Sequence, residues 1–160
     1  MDKNKNFIIE VSKILGPIPA KEALLAFLGY KTSRLGVSEN NYNQIILLFK
    51  KFDIKYVIGN YLYKTKLDIG KGGWSNKFES EIDIKHKDAK GDYLFYIADN
   101  LKKAKAARDN EENEKEIEFG EDLGIPSCCS EFYVNNAERA MEKQNDFVLY
   151  VLENTLSKPP

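Results

Sequence analysis

The sequence predicts a single α+β domain over residues 1–160, with N-terminal helices, a small antiparallel meander sheet in the middle and C-terminal helices. Three observations predict it. Apolar side chains recur at helical spacing in the first third, the period shortens to aromatic and β-branched runs between Tyr56 and Ile97, and helical spacing returns after Asn100. A chain of 160 residues is near the usual size of one domain and buries roughly two thirds of its unfolded surface.

Phe7, Ile8, Val11, Ile14 and Leu15 share one face of a first helix, which Gly16-Pro17-Ile18-Pro19 ends because each proline pushes its predecessor out of the α region. Residues 20–28 form a short second helix, closed by Gly29 as a left-handed cap. Ser38 caps a third helix to about Phe52, with Tyr42, Ile45, Ile46, Phe49 and Phe52 along one face. The first third is thus expected to be all helix.

Tyr56-Val57-Ile58, Tyr61-Leu62-Tyr63, Glu79 to Ile84 and Tyr93 to Ile97 are short runs bounded by Gly, Asn and Asp, the pattern of strands. The segment from Asp88 to Asp92 is expected to join the last two as a hairpin turn. Asp68-Ile69-Gly70-Lys71-Gly72-Gly73-Trp74 reads as a mobile loop carrying the single tryptophan. Its glycines suggest a phosphate cradle, but the Gly-Lys-Ser/Thr ending and a following helix are both missing, so a plain loop is favoured.

Asp99 or Asn100 caps a helix through Leu101, Ala104 and Ala107, which Asp109-Asn110-Glu111 is expected to interrupt. An acidic helix follows over about Glu112 to Asp122, which Gly124 with Pro126 ends, and the acidic cluster from Glu111 to Glu118 reads as a solvated helix face. Pro126 then suits the first turn of a last helix.

Composition narrows the function classes. With 24 basic and 25 acidic side chains the formal charge is -1, which provides no bulk attraction to nucleic acid or anionic lipid. No apolar run approaches the ~20 residues a membrane span needs. The polar start Met1 to Asn6, with Glu10 cutting the apolar stretch behind it, lacks the pattern of a signal peptide. A cytoplasmic protein with no nucleic-acid or membrane partner is expected.

The chemistry concentrates at Cys128-Cys129, the only cysteines. If the last helix starts at Pro126, both sulfurs lie in its first turn, where unpaired N–H groups and the positive dipole end favour thiolate. Successive helical residues diverge by roughly 100°, so the two thiols are expected in different environments. Cys129 aligns with Tyr133, Ala137, Ala140 and Phe147 as a core stripe, which leaves Cys128 as the exposed, reactive sulfur. Against this stands plain packing, since free cysteine is a small hydrophobe that is often buried.

His86, the only histidine, is a candidate partner for Cys128, although a solvated surface histidine between Lys85 and Lys87 is the commoner outcome. Tyr133 and Arg139 on the thiol helix are candidates to orient a substrate. Trp74 either closes over a ligand or anchors its loop. Two cysteines and one histidine are too few for a closed structural zinc site, so no metal site within the chain and no cofactor is expected.

Leu123-Gly124-Ile125-Pro126-Ser127-Cys128-Cys129-Ser130-Glu131-Phe132-Tyr133 resembles the Leu-Gly-Tyr-Pro-x-Cys-Cys-x-x-Phe-Phe signature of the DUF483 family, a mostly archaeal and bacterial group without an assigned activity. Ile125 stands where that signature has an aromatic, and Tyr133 where it has its second phenylalanine. The resemblance covers about the last 70 residues, is specific only around the cysteines and names no reaction.

The leading expectation is a small thiol-dependent enzyme, or the catalytic half of one, with Cys128 as nucleophile or sulfur carrier acting on a small molecule. Cys129 resolves or positions it. Two alternatives stay open: a non-catalytic interaction or regulatory module with structural cysteines, and metal or metalloid capture by the thiol pair in a homo-oligomer.

Overall fold

The computed structural model describes residues 3–63, 66–68, 73–75, 82–83 and 91–142. In chain order the elements are α1 (Lys3–Leu15), α2 (Pro17–Phe27), β1 (Ser33–Val37), α3 (Glu39–Phe52), β2 (Lys55–Tyr63), β3 (Lys66–Asp68), β4 (Gly73–Ser75), β5 (Ile82–Asp83), β6 (Asp92–Ala98), α4 (Leu101–Glu112), α5 (Glu116–Asp122) and α6 (Ser127–Glu142). The α+β class, the antiparallel sheet and the helices at both ends are as expected.

Leu94, Phe95, Tyr96, Ile97 and Ala98 of β6 are buried without a break, so this strand needs cover on both faces. Side chains alternate across a strand. Phe95 and Ile97 enter a core built with Phe7 and Val11 of α1, the alanines of α2, and Ile45, Phe49 and Phe52 of α3. Leu94, Tyr96 and Ala98 meet Ala104 and Ala107 of α4 on the opposite face. Phe95 is the centre of an aromatic group, its ring 5.4 Å from Tyr56, 5.8 Å from Tyr42 and 5.9 Å from Phe49.

The sheet order is β1-β6-β2-β5, and every paired neighbour is antiparallel. This corrects the expected meander, because β6, late in the chain, inserts between β1 and β2. It also corrects the expected hairpin between the last two strands, since β5 lies beyond β2 rather than beside β6. Residues 84–90, in which most of that turn falls, lie outside the described residues, as do 79–81.

β1 corrects the expectation of an all-helical first third. Its five residues, Ser33-Arg34-Leu35-Gly36-Val37, carry an arginine and a glycine and are too few for periodicity to stand out. Pairing supplies what propensity lacks: Leu35 lies opposite Phe95 and Ser33 opposite Ile97, so β1 shares the face of β6 that meets the helices. The two runs Tyr56 to Ile58 and Tyr61 to Tyr63 are one strand, β2, with a register shift between Ile58 and Leu62. Trp74 belongs to β4 and pairs with Leu67 of β3, a small ladder where a loop was expected, with residues 69–72 outside the described set.

Helix ends follow local chemistry with some displacement. α2 starts at Pro17, not at residue 20, because proline fits the first turn of a helix. Gly29 has φ 82°, and the N–H groups of Gly29 and Tyr30 donate to the carbonyls of Ala26 and Leu25, the expected left-handed closure. Asn100 caps α4 by accepting the Lys103 N–H at 3.0 Å. Asp109-Asn110-Glu111 does not interrupt α4, which continues to Glu112 before Glu114 turns the chain with φ 57°. Among the described residues no helix is long and apolar enough to cross a membrane.

Phe95→Ala is expected to lower the unfolding free energy by about 3–5 kcal/mol, since a ring buried among three others leaves a cavity. Leu47→Ala, on a side chain 67% exposed, is expected to change it by less than ~0.5 kcal/mol. Urea unfolding of both variants checks the assignment of the core.

Candidate functional site

α6 reaches the domain through α5. Gly124 takes φ 79°, and the N–H groups of Gly124 and Ile125 donate to the carbonyls of Glu121 and Gly120, which ends α5. The Asp122 carbonyl accepts the Thr32 N–H at 2.9 Å, and Asn110 donates to the Asp122 carboxylate at 2.9 Å, so the end of α5 is tied to both the entry of β1 and α4. The Pro126 carbonyl then accepts the N–H groups of Cys129 and Ser130, forming the first turn of α6.

The side of α6 that docks is set by one small contact. Ser130, 4% exposed, lies against Gly120 so closely that a Cβ on the glycine would overlap the serine oxygen. The Ser130 hydroxyl has no hydrogen-bond partner among the described residues. Val134 and Ala137, both half-buried, continue the stripe at helical spacing. The expected core stripe through Cys129, Tyr133 and Ala137 is thus corrected by about one residue: Cys129 is exposed and Tyr133 is 47% exposed.

Both cysteines face outward, with their sulfurs 4.0 Å apart. The expectation that they occupy separate environments is overturned, because side-chain torsions bring adjacent sulfurs together even where the Cα–Cβ directions diverge. Plain core filling is overturned with it. The Cys128 sulfur, by its hydrogen bond first and its charge second, with a smaller contribution from burial, raises the Cys129 thiol above its ordinary value. That direction opposes the general lowering expected at a helix N-terminus. The Ser127 hydroxyl donates to the Glu121 carboxylate, so a fixed negative charge already stands near the positive end of α6.

Among the other candidates, Tyr133 stands one turn after Cys129, on the same side of the helix. Arg139 is exposed, but three turns separate it from Cys128, about 16 Å along the axis. A small molecule held at the sulfur lies beyond its reach. His86 lies outside the described residues, and of Trp74 only the backbone pairing is described.

A second constellation was not foreseen. Arg34 lies opposite Tyr96 in the sheet, on the face covered by α4. Its Nε is 2.9 Å from one oxygen of Glu111, while the Tyr96 hydroxyl donates to the other at 2.8 Å. The Arg34 guanidinium also stacks 5.0 Å from the Tyr63 ring centre. Glu112 accepts from the Asn60 backbone N–H and from its side-chain amide, both at 2.7 Å, at the register shift of β2. A bulge frees a backbone donor, and Glu112 satisfies it. These two carboxylates correct the reading of Glu111 and Glu112 as part of a solvated face. Glu111 continues the Ala104, Ala107 stripe at helical spacing, a signal already in the sequence.

Burial raises Glu111 above the ordinary carboxylate value, outweighing the opposing pull of Arg34 and of the Tyr96 hydrogen bond. Burial, followed by the Glu111 charge, likewise raises Tyr96 far above an ordinary phenol. The cleft beside them, lined by Tyr61, Leu62, Tyr63, Leu94, Tyr96, Glu111 and Glu112, holds about 20 Å³, room for a water molecule. With both Glu111 oxygens engaged, the cluster ties α4 to the sheet and offers no space for a substrate. Among the described residues no group of three or more His, Cys, Asp or Glu side chains is placed to hold a metal ion.

No family model, no curated protein and no solved structure matches the chain.

Gly120→Ala is expected to destabilise the protein by roughly 1–3 kcal/mol through forced separation of α5 and α6, and Gly120→Ala with Ser130→Gly to recover part of that loss. Thermal unfolding measures both. For Glu111 the sign follows from its raised folded value: the native state holds the proton more tightly than the unfolded chain. Its contribution is full below the ordinary value of 4.5 and is lost as pH rises through the raised one. The stability difference between wild type and Glu111→Gln should therefore fall with rising pH across that window and level off above it, as read by urea unfolding from about pH 4 to about pH 8.

Proposed function

We propose that the chain is a thiol protein in which Cys128 forms a covalent adduct with a soluble electrophile, and that it acts as an acceptor or carrier of that group. The observation that carries this reading is the outward placement of both sulfurs in the first turn of α6, 4.0 Å apart. Thiolate is the reactive form, and a helix N-terminus favours it. The raised Cys129 keeps its proton and can donate a hydrogen bond to the Cys128 sulfur.

The step balances without a cofactor. Cys128 loses its proton to solvent, its sulfur lone pair forms the new bond, and the leaving group departs with the bonding electrons. Where the electrophile is a disulfide or persulfide, the product is a mixed disulfide or a transferred sulfur and the displaced thiolate leaves.

Resolution by Cys129 is disfavoured. Consecutive Cα atoms are 3.80 Å apart across a trans peptide, short of the 4.4 Å at which disulfide geometry usually begins. An adduct on Cys128 consequently persists until a second molecule collects it, which suits a carrier more than a dithiol oxidoreductase. A reducing compartment such as the cytoplasm keeps both sulfurs as thiols between cycles. The likeness of the segment to the DUF483 signature is in keeping with a role for the cysteines and names no substrate.

Iodoacetamide at about pH 7 should alkylate Cys128 faster than it alkylates glutathione, with a single adduct mapped to Cys128 by peptide mass. Cys129 should react faster in the Cys128→Ser variant than in the wild type, since the neighbour that raises it has gone. A Cys128 rate no greater than that of glutathione removes the activated nucleophile and this reading with it.

A further inference from the structure

We propose that Cys128 and Cys129 of one chain together chelate a single soft monovalent cation of the copper(I) class. This inference uses the same two sulfurs as the carrier reading but does not rest on it, since coordination requires no fast nucleophile.

Distance geometry makes the case. Metal–thiolate bonds of about 2.3 Å span roughly 3.8 Å between sulfurs at a tetrahedral angle and ~4.6 Å when collinear. The observed separation of 4.0 Å falls between these limits and corresponds to an S–metal–S angle of roughly 120° with such bonds. A cation can therefore sit between the sulfurs with no change of backbone. A disulfide, by contrast, needs a Cα spacing that adjacent helical residues do not offer.

Donor type and number select the ion. Two thiolates are soft, which disfavours calcium and magnesium, both seekers of oxygen. Zinc normally completes a tetrahedron of four ligands, and no described His, Asp or Glu joins the cysteines in a metal-holding group. Copper(I) is soft and is satisfied by two thiolates, or by two with a third ligand from solution. Both sulfurs are exposed, so an ion can be delivered to them and removed.

Charge points the same way. Two thiolates 4.0 Å apart repel each other, and a cation standing between them turns that repulsion into attraction. Binding releases two protons to solvent, forms two metal–sulfur bonds and leaves copper in its monovalent state. No oxidant or reductant enters the step.

The test is anaerobic titration of the fully reduced chain with the copper(I) complex of bathocuproine disulfonate, following loss of the coloured complex. One copper per chain is expected in the wild type, and loss of that end point in Cys128→Ser and in Cys129→Ser, with circular dichroism melts confirming that each variant is folded. Wild-type protein alkylated on both sulfurs serves as a second blocked form and should also fail to take copper. Absence of transfer, transfer that survives either single substitution, or an end point of one copper per two chains overturns the single-chain chelate. Slow alkylation of Cys128 bears only on the carrier reading and leaves the copper end point unchanged.

Discussion

The burial of β6 on both faces is the constraint from which the other layers follow. A strand whose residues Leu94 to Ala98 are all removed from water cannot end its sheet at solvent on either side. α1, α2 and α3 close one side around Phe95 and Ile97, and α4 closes the other over Leu94, Tyr96 and Ala98. Because α4 must lie there, α5 is stacked on α4 and α6 on α5. The cysteines consequently stand at the outer margin of the molecule, remote in the stacking order from the sheet.

Small and polar groups hold these outer layers in register. The α4 face is lined by alanines, which permit close approach to the strands but bury little surface each. Glu111 and Glu112 supply the directional contacts that alanine lacks, one to Arg34 and Tyr96, the other to the donor released by the shift in β2. Both contacts fix the pairing geometry, and burial makes Glu111 resist ionisation, so the seam between α4 and the sheet is specific and pH-sensitive. Farther out, Gly120 and Ser130 fix the rotation of α6 by leaving space on one side of the helix only.

That rotation decides what the thiols can do. Turned by one residue, α6 would place Cys129 among the side chains of α5 and leave a lone sulfur outside. As it stands, both sulfurs share the surface, each within the electrostatic reach of the other, and the Cys128 sulfur holds the Cys129 thiol above its ordinary value. The Glu121 carboxylate near the same helix end tempers the positive potential available to a thiolate. A cation, in contrast, gains from every one of these negative charges.

Periodicity and punctuation in the sequence by themselves determined α1, α3, α4 and α6, the strand at Tyr93 to Ile97, the left-handed closures at Gly29 and Gly124, and the placement of two thiols in a first helical turn. These are local properties, carried by side-chain spacing, proline and glycine. Tertiary structure alone decided the existence of β1, whose five residues become a strand only because Leu35 meets Phe95 and Arg34 meets Tyr96 across the sheet. It likewise decided the insertion of β6 between β1 and β2, the inward turn of Glu111 and Glu112, and the outward turn of Cys129. The reason is physical: spacing along a chain identifies a face, but which face is buried depends on the atoms that arrive opposite it.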